Sequence, residues 1–98
     1  MKEFVYYGEL FNIYGDLLND SNKKYYSLYY EENLTLQEIA DLDNVSKSYV
    51  GNIISKTTKK LDEYENILKL YEKKVLLESV LELDDVKIIK DKIKEVLN

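Results

Sequence analysis

LTLQEIADLDNVSKSYVGNIISKTTKK, residues 34–60, is the stretch that decides how this chain folds. Two short helices that cross tightly need a small residue where the second passes over the first, and Ala40 supplies it, with apolar Ile39 beside it. Four positions after the alanine the turn needs a residue at ease with positive φ. Asn44, which stands there, is of one of the few non-glycine types that tolerate it. Val45 follows as an apolar plug for the turn, and Val50 and Ile53 stand at the offsets that face the first helix. Thr35 with Glu38 three residues later makes a capping-box pattern, and Ser46 is a good cap for the second helix. Together these positions predict a helix-turn-helix over about residues 34–60.

Working outward, both flanks read as helical. Phe4, Tyr7, Phe11, Tyr14 and Leu18 repeat at helical spacing and predict a first helix over about Glu3 to Leu18. A polar cluster at Asn19–Asn22 reads as a turn, with Ser21 or Asn22 capping a second helix from Lys23 to Glu31. That helix is expected to turn Tyr25, Leu28 and Tyr29 inward. Beyond Ser46, the residues Val50, Ile54, Thr57, Leu61, Tyr64, Leu68 and Tyr71 alternate steps of four and three, a heptad seam. The seam fits core packing against the first and last helices or a dimer contact, and the two could coexist. Its helix runs to about Lys74 or bends into Val75-Leu76-Leu77. Asp84 or Asp85 caps a last helix with Val86, Ile89, Ile93 and Val96 on one face. The expected fold is all-α: one helical domain over 1–98, with the helix-turn-helix at about 34–60 and a helical extension at about 61–98.

Composition removes several classes of function. The 98 residues contain no histidine and no cysteine, which takes away the commonest general base, the commonest metal ligand and any thiolate site. No calcium-type loop, glycine-rich phosphate loop or nucleophile elbow is present, so no metal, no cofactor and no enzyme activity are expected. The carboxylate pairs Glu31-Glu32 and Asp84-Asp85 look like helix ends. The first residues lack the apolar run of a signal peptide, and no stretch is long enough to span a membrane. The expected location is therefore cytoplasmic, without membrane insertion.

The formal net charge is −5, but its distribution is uneven. Met1 to Val45 holds three lysines against nine acids, whereas Ser46 to Lys60 holds four lysines and no acid. On the second helix of the motif, Lys47, Ser48, Gly51, Asn52, Ser55, Lys56, Lys59 and Lys60 are candidates for nucleic-acid binding. Asn52 has the donor and acceptor to pair with an adenine edge, Ser48 and Ser55 reach bases or phosphates, and Gly51 would let a backbone come close. The lysines would contact phosphates and position the helix. Tyr49 suits packing on the scaffold better than base contact. A merely solvated helix face would have the same composition. The alternative is a protein-interaction module that uses the tyrosine-rich surface or the acidic N-terminal half. Small size, the seam and the geometry of paired helix-turn-helix sites point to a homodimer.

The order of an N-terminal helix, Lys24-Tyr25-Tyr26-Ser27-Leu28-Tyr29-Tyr30, Leu36-Gln37-Glu38-Ile39-Ala40, Asn44-Val45-Ser46 and Leu68-Lys69-Leu70-Tyr71-Glu72 resembles the YlxM-type helix-turn-helix proteins of low-GC Gram-positive bacteria and their wall-less relatives. The resemblance spans roughly Leu10 to Lys73. It implies a helix-turn-helix similar to region 4 of sigma-70 factors. Genes of that family typically sit beside those for the signal recognition particle protein and its receptor. A role in or over that targeting pathway is therefore implied, with DNA, the particle's RNA or its GTPase as partner.

Overall fold

The computed structural model describes residues 2–98. Among them the chain forms α1 (Lys2–Tyr14), a 3₁₀ turn (Gly15–Leu17), α2 (Asp20–Tyr30), α3 (Leu36–Asp43), α4 (Lys47–Leu68), α5 (Leu70–Val80) and α6 (Val86–Leu97), and no strand. The all-α fold with a helix-turn-helix is as expected.

α4 is the axis of the molecule, and α1, α2 and α3 all pack on it. Its buried side chains are Val50, Ile54, Thr57 and Leu61, at steps of four, three and four. They form one core with Leu10 and Tyr14 of α1, Tyr26 of α2 and Ile39 and Ala40 of α3. The seam from Val50 to Leu61 is thus filled within the chain, as core packing. Past Leu61 the pattern lapses: Tyr64 and Tyr71 are half-buried and Leu68 is exposed.

Three boundaries differ from the sequence expectation, each for a local reason. α1 stops at Tyr14 rather than Leu18, because the chain tightens and the Leu18 N–H bonds to the Gly15 carbonyl at 3.1 Å. Gly15 is buried there, and a Cβ on it would lie 3.2 Å from the Phe11 ring. α2 begins at Asp20, three residues early, because Asn19 is the cap and its Oδ1 accepts the Asn22 N–H at 2.8 Å. Its most deeply buried side chain is Tyr26, not Leu28 or Tyr29, which are half-buried; Tyr25 is buried as expected.

The third difference is the end of α4. Lys69 takes a left-handed conformation (φ 55°) and separates α4 from α5, so the long helix neither reaches Lys74 nor bends smoothly. The start of α5 is anchored to this joint. Glu65 Oε1 accepts the Tyr71 N–H at 2.9 Å and Oε2 accepts the Glu72 N–H at 3.0 Å. The Tyr14 hydroxyl accepts the Leu70 N–H at 3.1 Å and donates to Glu65 Oε1 at 2.6 Å. Three amides that a helix start leaves without partners are thereby satisfied, with a carboxylate at the positive end of the helix dipole.

α6 starts at Asp85, whose Oδ1 accepts the Lys87 and Ile88 N–H groups at 2.9 and 3.2 Å, and it folds back on α5 as a hairpin. The hairpin meets the body through α5, which packs on α1 and α4. There the Tyr6 and Tyr71 rings meet edge-on at 5.2 Å, and Lys74 lies 3.5 Å from Glu9. The result is elongated, 57 × 22 × 18 Å. No helix among the described residues is long and apolar enough to cross a membrane.

Candidate nucleic-acid interface

The interface begins with how α3 and α4 are held. Thr35 and Glu38 form the reciprocal capping box: Thr35 Oγ1 accepts the Glu38 N–H at 3.1 Å, and Glu38 Oε1 accepts the Thr35 N–H at 3.0 Å. Asn44 ends α3 in the left-handed conformation (φ 56°, ψ 45°), and the Val45 N–H reaches back to the Ala40 carbonyl at 3.0 Å. Ser46 starts α4 by accepting the Tyr49 N–H at 3.0 Å. Ala40 and Val50 are fully buried at the crossing. A longer side chain at position 40 would push the helices apart. Val45 does not plug the turn, because it remains 36% exposed; Ile53 is half-buried, and Ile54 takes the deeper place.

α2 braces both helices of the motif. Lys24 Nζ and the Tyr25 hydroxyl both bond the Asp43 carboxylate at the end of α3, at 2.8 and 2.7 Å. The lysine and then the phenol hold the Asp43 carboxyl below its ordinary range. In return the Asp43 hydrogen bond, followed by burial, pushes Tyr25 up to about 12. On α4, the Thr58 hydroxyl donates to the Ile54 carbonyl at 2.9 Å, so Tyr26 is the donor in the 2.7 Å bond between the two hydroxyls. Tyr49, 48% exposed, meets the Tyr25 ring edge-on at 6.3 Å, which places it on the scaffold as the sequence suggests.

With this frame fixed, the outer face of α4 is determined. Ser48, Asn52, Ser55 and Lys59 follow at steps of four, three and four, with Lys56 alongside, and all five are exposed. At 1.5 Å per residue the row runs roughly 16 Å. Lys47 and Lys60 flank it and are exposed as well. None of these four lysines takes part in an ion pair among the described residues. Lys23, Lys24 and Lys74, in contrast, lie within 3.5 Å of Asp16, Asp43, and Glu9 and Glu78. Gly51 departs from expectation: it is half-buried beside α3, and a Cβ there would meet Leu36 at 3.7 Å. Gly51 therefore belongs to the helix crossing rather than the outer face, and the contact is loose enough for alanine.

The basic stretch is bounded by Asp62, which accepts a hydrogen bond from the Tyr7 hydroxyl at 3.1 Å, and by exposed Glu63. At its other end lies a concavity of about 390 Å³ walled by Phe4, Tyr29, Asn33, Thr35, Gln37 and Lys47. Of these only Lys47 was a sequence candidate. Gln37, exposed in the first turn of α3, and Asn33, at positive φ (60°), were not legible as neighbours of Lys47, because α1, α2 and α3 must first be assembled around them.

Comparison with known proteins agrees with this geometry. The family model UPF0122, described as "Putative helix-turn-helix protein, YlxM / p13 like", matches residues 1–98. A UPF0122 protein of Mycoplasma capricolum is 44% identical over 95 residues, covering 91% of this chain and 83% of that one. A UPF0122 protein of Clostridium acetobutylicum is 36% identical over 97 residues, covering 97% of this chain and 84% of that one. One of Lactococcus lactis is 38% identical over 73 residues, covering 74% and 66%. From its first residue to its last, the chain belongs to the YlxM/p13-like UPF0122 family of helix-turn-helix proteins.

Proposed function

We propose that this protein is a cytoplasmic, non-enzymatic regulator that binds nucleic acid through the outer face of α4, as a homodimer, in connection with the signal recognition particle pathway. The observation that carries the reading is the exposed row Ser48, Asn52, Ser55 and Lys59 with Lys47, Lys56 and Lys60 around it, on a helix held rigidly by α2 and α3. The link to the particle rests on the family resemblance alone. The chain is read as one helical unit, with the helix-turn-helix at about 34–60 as its binding part and the extension from about 61 as its assembly part.

Duplex DNA suits this helix better than RNA. The major groove of B-DNA is about 12 Å wide and admits a helix, whereas that of A-form RNA is deep and narrow. All 14 basic residues are lysine, so the planar fork that reads guanine is missing. Binding is therefore led by phosphate contacts, with Asn52 as the main reader of a base edge. Anisotropy titrations of duplex DNA and the particle's RNA against wild type and the double variant Lys56→Glu, Lys59→Glu test this. Loss of binding in the variant is expected; unchanged binding to both would remove the reading.

A second reading has one observation in its favour: the nine acids against three lysines between Met1 and Val45 suit a basic protein domain. In that case the partner is the particle's GTPase or its receptor. Recovery of that GTPase from a nuclease-treated pull-down, with no nucleic-acid binding by the pure protein, would favour it.

A further inference from the structure

We propose that the concavity between Tyr29, Gln37 and Lys47 is a pocket for one unpaired nucleotide, which lays its base against the aromatic wall and its phosphate at Lys47. The inference deepens the nucleic-acid reading, on which it rests for one of its two ligand sources, by adding a site beyond the outer face of α4.

Four helices build the pocket, so it exists only in the assembled fold. Phe4 comes from α1, Tyr29 from the last turn of α2, Gln37 from the first turn of α3, and Lys47 opens α4. Its walls are fixed in place. Tyr30 stacks on the Phe4 ring at 4.6 Å, and Tyr29 meets that ring tilted at 6.2 Å. The connection from α2 to α3 is pinned as well. The Leu34 N–H donates to the Leu28 carbonyl at 3.0 Å, Asn33 holds the left-handed conformation, and the capping box closes the start of α3. Gln37 Nε2 donates to Asp41 Oδ1 at 2.8 Å, which orients the carboxamide and leaves its second N–H and its oxygen for a ligand.

The class of ligand follows from this lining. A volume of about 390 Å³ lies toward the lower end of the roughly 300–1,000 Å³ typical of small-molecule sites, so one ring system with its sugar fits and a longer chain does not. Among the described residues no carboxylate lines the pocket, which disfavours a cationic ligand. Lys47 is its single lining cation and forms no ion pair among those residues, which matches one phosphate rather than several. A hydrocarbon would leave the carboxamides of Asn33 and Gln37 without partners on desolvation. A heterocycle with donors and acceptors along its edge would use them, and the pair that Gln37 presents is the one adenine matches. Aromatic side chains hold unstacked bases by their faces. A heteroaromatic ring that carries one phosphate is a nucleotide. Lys47 also adjoins Ser48, the first residue of the exposed row, so a backbone phosphate held there belongs to both sites. A base stacked inside a duplex is out of reach. The ligand is therefore either a nucleotide left unpaired within the bound nucleic acid or a free mononucleotide.

The test compares, by anisotropy, a fully paired duplex DNA with the same duplex carrying one unpaired adenosine. Adenosine monophosphate alone is followed through the amide NMR shifts of Gln37 and Lys47. The unpaired adenosine is expected to tighten binding about tenfold to a hundredfold. Gln37→Ala and Tyr29→Leu are each expected to abolish that preference. Gln37 is exposed, so its variant keeps the fold, and circular dichroism checks the fold of Tyr29→Leu. A preference without a response to adenosine monophosphate assigns the pocket to the nucleic acid's own unpaired nucleotide. Shifts at millimolar adenosine monophosphate that Gln37→Ala removes assign it to a free nucleotide. Equal affinity for the two duplexes together with no response to adenosine monophosphate would overturn the proposal, as would a preference that both variants keep. Its failure is separable from failure of the nucleic-acid reading. Two duplexes bound equally, with no response to the mononucleotide, sink the pocket and leave the outer face of α4 standing. If neither duplex binds, that face falls, and adenosine monophosphate alone decides the pocket. Lys56→Glu, Lys59→Glu is expected to lose both duplexes and to keep any response to the mononucleotide.

Discussion

At the scale of single residues, the fold depends on a few positions where the chemistry permits little else. Asn44 holds the turn at φ 56°. Asn44→Gly should be tolerated, whereas Asn44→Val should cost about 1–2 kcal/mol in denaturant unfolding, because a branched Cβ clashes in the left-handed region. Thr57 is fully buried and its hydroxyl has no hydrogen-bond partner. Thr57→Val keeps the shape and removes the stranded group, and it should raise stability by about 1 kcal/mol. The tyrosines add a dependence on pH. Burial and the hydrogen bond to Asp62 push Tyr7 up to about 12, and the bond to Asp43 and burial do the same for Tyr25. A phenol whose folded pKa is raised contributes stability that is complete below its ordinary 10.0 and is lost as pH rises through about 12. Thermal stability should therefore fall between pH 10 and 12, and Tyr25→Phe should flatten the fall. Asp43 works in the opposite direction: its contribution is present above the ordinary 3.8 and is lost as pH falls through its lowered value, a loss that Asp43→Asn should abolish.

At the scale of helices, the determinants divide into those written locally and those made by assembly. Thr35 with Glu38, Asn44, Ser46 and Asp85 were legible because each acts on amides within a few residues of itself. The same locality made Ala40 and Val50 readable as the crossing. The break at Lys69 was not legible, because the start of α5 depends on Tyr14 and Glu65 meeting across about fifty residues of sequence. Gly51 was misplaced for a similar reason: its side of α4 is covered by Leu36 only once α3 has docked. The break at Lys69 yields its own expectation. Glu65→Ala should strip hydrogen-exchange protection from the amides of Leu70, Tyr71 and Glu72 and leave α3 and the first turns of α4 protected. If protection falls equally throughout, the joint is not an independent latch.

At the scale of the whole molecule, the elongated shape sets the basic row of α4 apart from the α5–α6 hairpin. α4 carries the basic row near its start, and Glu65 near its end fixes the direction of α5. The overall charge of −5 opposes nucleic acid at long range, so the proposed binding would have to come from the local row of lysines, none of which forms an ion pair among the described residues. The most direct measurement is the dependence of DNA affinity on salt. Four phosphate contacts contribute roughly −3.6 per protomer to the log–log slope, so the proposed dimer predicts about −7 and a loss on the order of ten-thousandfold between 50 and 200 mM salt. Lys59→Ala should make the slope shallower by about one per protomer. An affinity indifferent to salt, or a slope that Lys59→Ala leaves unchanged, would contradict recognition through the outer face of α4.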